Sequence, residues 1–181
     1  MKAVLMSIHP KRCELIFSGE KTIEVRKTAP KLETPFKVYV YCTNGRFDIT
    51  DIDDVTSESV RVVSEGRGKV IGEFVCRAVE KYDIDLGGDY YRISDKESIQ
   101  TCLDQNLLFK YGNGRDLYGW HISDLKIYDK PRELGEFKTP DKPYRKIIER
   151  EGSLMFMDGY ESGKPLKRAP QSWQFVEEVE E

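Results

Sequence analysis

Apolar positions in this chain come mostly in short runs, broken by glycine, proline and clustered charge. Residues 4–8 (Val-Leu-Met-Ser-Ile) form a nearly continuous apolar run and predict a first strand. Pro10 suits the first turn of a helix, where its missing N–H would have no partner anyway. Cys13, Ile16 and Phe17 then recur at helical spacing, and Gly19 supplies the stop. Ile23 and Val25 alternate with Thr22, Glu24 and Arg26, which is the period of a half-buried strand. Residues 37–42 and 68–79 are rich in β-branched and aromatic side chains and predict two longer strands. Gly72 inside the second marks a bulge or a close backbone approach. Ser94 and Glu97 have the spacing of a capping box, which predicts a helix to about Leu103. Residues 122–128 and 173–179 predict the last strands. Between them, 134–143 reads as a loop, 144–151 as a short helix and 152–171 as an extended segment. Many short strands, two or three short helices and no βαβ rhythm predict an α+β protein, a small mixed β-barrel with peripheral short helices.

One stretch departs from this pattern. Asp48, Asp51, Asp53, Asp54 and Glu58 form an acidic run within residues 44–66, where large apolar side chains are few. It predicts a mobile loop insert, because it has little apolar area to offset its ordering entropy. The chain of 181 residues fits a single domain over 1–181. Charged residues are 34% and apolar ones 39% of it, and aromatics at 11% argue against disorder. A net charge of −3 excludes a uniformly basic nucleic-acid binder but not a local basic face. The cysteines Cys13, Cys42, Cys76 and Cys102 show no Cys-x-x-Cys spacing, so a zinc ribbon and a thioredoxin motif are excluded. Free thiols fit a reducing, cytoplasmic location, and the apolar start is too short for a signal peptide or membrane span.

The densest chemistry lies in residues 19–26, Gly-Glu-Lys-Thr-Ile-Glu-Val-Arg. On the strand, Glu24 and Arg26 share one face, with Lys21 at its mouth. Arg26 offers a planar fork for a phosphate or base edge. Lys21 offers a charge for a phosphate, or a base if a dry cleft lowers its pKa. Glu73 is a second carboxylate of interest, between Ile71 and Val75 on a strand expected to be mostly buried. Trp120 and His121 end a glycine-rich stretch and are candidates for base stacking and cleft lining. With two histidines in the chain, no cofactor or metal is expected. The alternative to that expectation is a carboxylate site using Glu24, Glu73 and His121. No Walker loop, dinucleotide fingerprint or nucleophile elbow is present.

Gly19, Lys21, Glu24 and Arg26 fit a Gly-x-Lys-x-x-Glu-x-Arg signature, and the stretches 118–127 and 170–173 carry further likeness. On these residues the chain resembles the ASCH domain family of the PUA-like superfamily, in its small bacterial and phage form. The resemblance implies a PUA-like mixed barrel with a cleft beside the signature strand, and RNA or a nucleotide as partner. It makes Lys21, Glu24, Arg26, Trp120 and His121 the expected ligand-binding residues. It also implies an alternative. In hydrolytic ASCH relatives a lysine, a hydroxyl residue and a glutamate act on N4-acylated cytidine. That lysine matches Lys21 and that glutamate Glu73, but Glu24 stands where the relatives carry threonine. Thr22 lies one strand step away on the same face, so an enzyme would use Lys21, Thr22, Glu24 and Glu73. A metal-assisted ribonuclease and a regulatory protein with a protein partner are the remaining alternatives.

Overall fold

The computed structural model describes residues 1–45, 58–85, 87, 90–150 and 153–179. Its frame is one six-stranded sheet. The strands are β1 (Lys2–Ile8), β2 (Ile23–Arg26), β3 (Phe36–Cys42), β4 (Val70–Tyr82), β5 (Leu117–Arg132) and β8 (Trp173–Glu177), in the order β2-β5-β4-β3-β1-β8. β1 runs parallel to β3, pairing Val4 with Val38 and Ile8 with Cys42. Every other pairing is antiparallel. β1 reads as nearly continuous apolar sequence because both of its faces are covered. Val4, Met6 and Ile8 join the main core with α1 (Pro10–Phe17), whereas Ala3 and Leu5 join a second cluster with Tyr39, Phe137 and Val176.

The expected barrel is not closed. β2 and β8 end the sheet and share no ladder. Side chains draw the two edges together instead. Arg26 donates from Nη2 to the Ser7 carbonyl at 2.8 Å, and Trp173 donates from Nε1 to Thr28 Oγ1 at 3.0 Å. β2 has only four residues, too few to extend a ladder around the barrel. The long strands β4 and β5 supply the curvature, with three register shifts between them. Gly72 sits at one of these shifts, where a Cβ would lie 2.6 Å from the Lys126 carbonyl. Only glycine permits that approach.

Helix α2 (Glu58–Glu65) occupies the end of the stretch expected to be a loop, and buries Val62 and Val63 in the main core. The acidic positions Asp48, Asp51, Asp53 and Asp54 lie outside the described residues. The capping box is formed as expected and starts α3 (Asp95–Thr101). A second helix, α4 (Gln105–Gly112), follows with Asp104 as its cap and was not foreseen.

The expected short helix at 144–151 is instead a strand. β6 (Lys142–Arg150) pairs with β7 (Ser153–Glu161) in a separate two-stranded sheet. Tyr144, Ile147 and Ile148 have helical spacing, but the apolar run from Leu154 to Met157 gives Ile147 and Ile148 cross-strand partners in Phe156 and Met155. No helix among the described residues is long and apolar enough to cross a membrane.

Candidate functional site

The signature residues 19–26 run from the end of α1 into β2. Gly19 follows the helix with φ +84°, a left-handed conformation that glycine adopts without strain. The chain then turns so that the Lys21 N–H bonds back to the Leu15 carbonyl at 2.8 Å. Thr22 is pinned on both sides. Its N–H bonds to the Gln100 carbonyl, its carbonyl accepts from the Ile122 N–H, and its Oγ1 accepts from Gln100 Nε2 at 3.1 Å.

The charged side chains of this strand do not face solvent. Glu24 is fully buried, Lys21 is 2% exposed and Arg26 7%. They form an ion-paired triad. Glu24 Oε2 lies 3.4 Å from Lys21 Nζ, and Oε1 lies 3.0 Å from Arg26 Nη2. Lys21 Nζ also donates to the Thr101 carbonyl at 2.5 Å. Burial pulls the Lys21 ammonium below the ordinary lysine value, against the opposing pull of Glu24. Burial pushes Glu24 upward, but Lys21, Arg26 and Arg12 outweigh it and hold the carboxyl below its ordinary value. The Glu24 oxygens and Arg26 Nε have no hydrogen bond of good geometry among the described residues, so the triad is held by charge rather than by a closed network.

The triad carries two cations for one anion, and a third cation stands over it. Arg12, half-buried on α1, acts on both Lys21 and Glu24. Its guanidinium lies 5.8 Å from the ring centre of Tyr111 on α4, and Lys27 Nζ lies 5.0 Å from the same ring. Lys27 is exposed, immediately after β2. A buried positive excess thus meets a half-buried aromatic, packed on one side against the cluster of Val25, Tyr91 and Leu108 and flanked by two cations. Sequence reasoning missed Arg12, Lys27 and Tyr111. Arg12 and Lys27 were legible only as charges near the signature, and Tyr111 only as part of a glycine-rich stretch.

The other expected residues are placed differently. Glu73 does not join Lys21. It lies on the sheet face of Tyr39, accepts from the Tyr128 hydroxyl at 2.5 Å and pairs with Lys37 at 3.2 Å. Strand alternation sets this, because Glu73 pairs across the ladder with Tyr39, whose ring belongs to the second core cluster. Trp120 is fully buried between Phe36 and Trp173, with ring centres 5.6 and 5.7 Å away, so neither ring face is open for a base. His121 is half-buried on β5 and faces Glu80, with Nε2 3.5 Å from its Oε1. The set Glu24, Glu73 and His121 is therefore not assembled. Glu80 and Glu97 meet His121 instead.

Comparison with known proteins gives a family match. The model of the ASCH domain matches residues 6–99, more than half of the chain. Among solved structures, an ASCH protein of Zymomonas mobilis is 17% identical, covers 73% of each chain and has a TM-score of 0.49. Two point mutants of it are both 16% identical, with TM-scores of 0.43 and 0.39. They cover 74% and 73% of this chain and 77% and 74% of their own. No curated protein matches the chain significantly.

Proposed function

The chain belongs to the ASCH domain family, and from that premise we propose that it is an RNA-binding module whose ligand rests on the rim of the buried triad. The observation that carries this is the Tyr111 ring flanked by Arg12 and Lys27 above the excess charge of Lys21 and Arg26. A sequence-tolerant single-strand binder needs a π-face for a base and cations for the adjoining phosphates. Lys21 and Arg26 act through their field, since both are buried, with Lys21 Nζ held by Glu24 and Thr101 and Arg26 Nη2 by Glu24 and Ser7.

The arrangement does not favour the amidase alternative. Lys21 is tied to Glu24 and the Thr101 carbonyl, Thr22 to Gln100, and Glu73 lies on another face of the sheet. A base that must take a proton from a hydroxyl needs that hydroxyl within hydrogen-bond reach, and Lys21 is engaged elsewhere.

The test is fluorescence anisotropy with a short single-stranded RNA at about 50 and 200 mM salt. Joint replacement of Arg12 and Lys27 by alanine is expected to flatten the salt slope by about 1.4, for two lost phosphate contacts at about 0.7 each. Tyr111→Ala is expected to cost about 1–3 kcal/mol at both salts. Equal affinity in all three proteins would remove this rim from the binding surface. Wild-type protein is expected to leave N4-acetylcytidine intact. Fast turnover, lost in both Lys21→Ala and Thr22→Ala, would replace the binder by an amidohydrolase.

A further inference from the structure

Where the start of α3 approaches β4 and β5, three further groups converge. Glu80 comes from β4, His121 from β5 and Glu97 from the first turn of α3. One ligand atom from each lies within 4.8 Å of the other two. We propose that Glu80, Glu97 and His121 form a binding site for one divalent first-row transition ion, of the Mn²⁺ or Zn²⁺ kind.

Glu80 and Glu97 bring two carboxylates to one point. Either a shared proton or a shared cation relieves such a pair.

Two other polar atoms favour the cation. His121 Nε2 is buried, lies 3.5 Å from Glu80 Oε1 in an ion-pair contact, and has no partner in hydrogen-bonding geometry among the described residues. The Tyr82 side chain is 2% exposed, and its hydroxyl also has no partner in hydrogen-bonding geometry. That hydroxyl is held beside Glu97. Its place is kept open by Gly119, where a Cβ would lie 2.2 Å from the oxygen. An ion supplies the missing partner of the imidazole directly. Its bound water supplies that of the phenol.

The chemistry and reach of the donors fit. Two carboxylates and one imidazole suit Mn²⁺ or Zn²⁺ better than Mg²⁺ or Ca²⁺, which take oxygen ligands. Donors each about 2.1 Å from one ion stand about 3.0–4.2 Å apart, so small side-chain rotations close the set. Both Ser94 bonds to Glu97 fall on Oε2, which leaves Oε1 to the cluster. Glu80 is 51% and His121 28% exposed, so an ion reaches the site from solvent.

The experiment titrates the full chain with Mn²⁺ alone, following free Mn²⁺ by electron paramagnetic resonance. One ion per chain is expected to bind the wild type. Glu97→Gln and His121→Gln are each expected to weaken binding at least tenfold, while Glu73→Gln leaves it unchanged. Glu97→Gln retains the capping box, so α3 keeps its start. Pulsed measurements on the bound ion are expected to show a nitrogen coupling that is absent in His121→Gln. No one-to-one binding by the folded wild type would leave only a proton-sharing pair and overturn the proposal. Binding that survives both substitutions would do the same.

Discussion

Replacing Glu24 by alanine is expected to cost about 3–5 kcal/mol of folding stability, the usual result of removing one partner from a buried ion pair. The expectation follows from arithmetic of charge. Glu24 is the only anion in the triad, and both of its oxygens face cations. Its removal leaves Lys21 and Arg26 at 2% and 7% exposure without a counterion. The joint replacement of Lys21, Glu24 and Arg26 by apolar residues of similar volume is expected to recover most of that loss, because no charge then stays unpaired. Urea unfolding with an unchanged m-value measures both. A loss below about 1 kcal/mol in Glu24→Ala would mean that the triad is hydrated like a surface pair. Acid imposes the same change reversibly. Glu24 is held below its ordinary value in the fold, so the unfolded chain binds its proton first as pH falls. Its contribution is complete above the unfolded carboxylate value of about 4.3, and is lost as pH falls through the lower folded value.

Trp120→Ala is expected to be as damaging, at about 3–5 kcal/mol, while leaving the affinity for RNA unchanged under conditions where the variant is folded. Trp120 is fully buried, with an edge contact to Phe36 and a tilted contact to Trp173. Truncation opens a cavity where β2, β5 and β8 come together. Trp120→Phe keeps most of the packing and is the better protein for the binding measurement. A stable Trp120→Phe variant with tenfold weaker RNA binding would return the ring to the ligand surface.

The strands near the signature were legible because their patterns are local. β1, β2 and β3 alternate or run apolar over lengths that admit no helix. The capping box at Ser94 was legible for the same reason. What failed needed a partner elsewhere in the chain. β6 has the apolar spacing of a helix, and only the pairing with β7 decides otherwise. α2 follows an acidic run and draws its stability from Val62 and Val63 in a core that the local sequence does not reveal.

The site divides in the same way. Lys21, Glu24 and Arg26 were read together and are together, but as a buried triad rather than an open face. A period of two shows which residues share a face, not whether that face is covered. Glu73 was assigned to the wrong side because three register shifts make the long strands hard to track by counting. Glu97 was read only as a capping residue, which it is, yet its position also brings it to Glu80 and His121.

The place of β1 in the sheet has a consequence for how the chain is made. β1 is an inner strand, held by β3 on one side and by β8 on the other. Met6 pairs with Trp173, so the second neighbour is encoded near the far end of the sequence. Synthesis at about 5–20 residues per second separates the two by on the order of ten seconds. Through that interval β1 presents an open row of backbone donors and acceptors on an apolar strand, the kind of edge that templates pairing between chains. The sheet is complete only after β8 has been made, and a nascent chain with β8 still unmade is the form that most needs a chaperone.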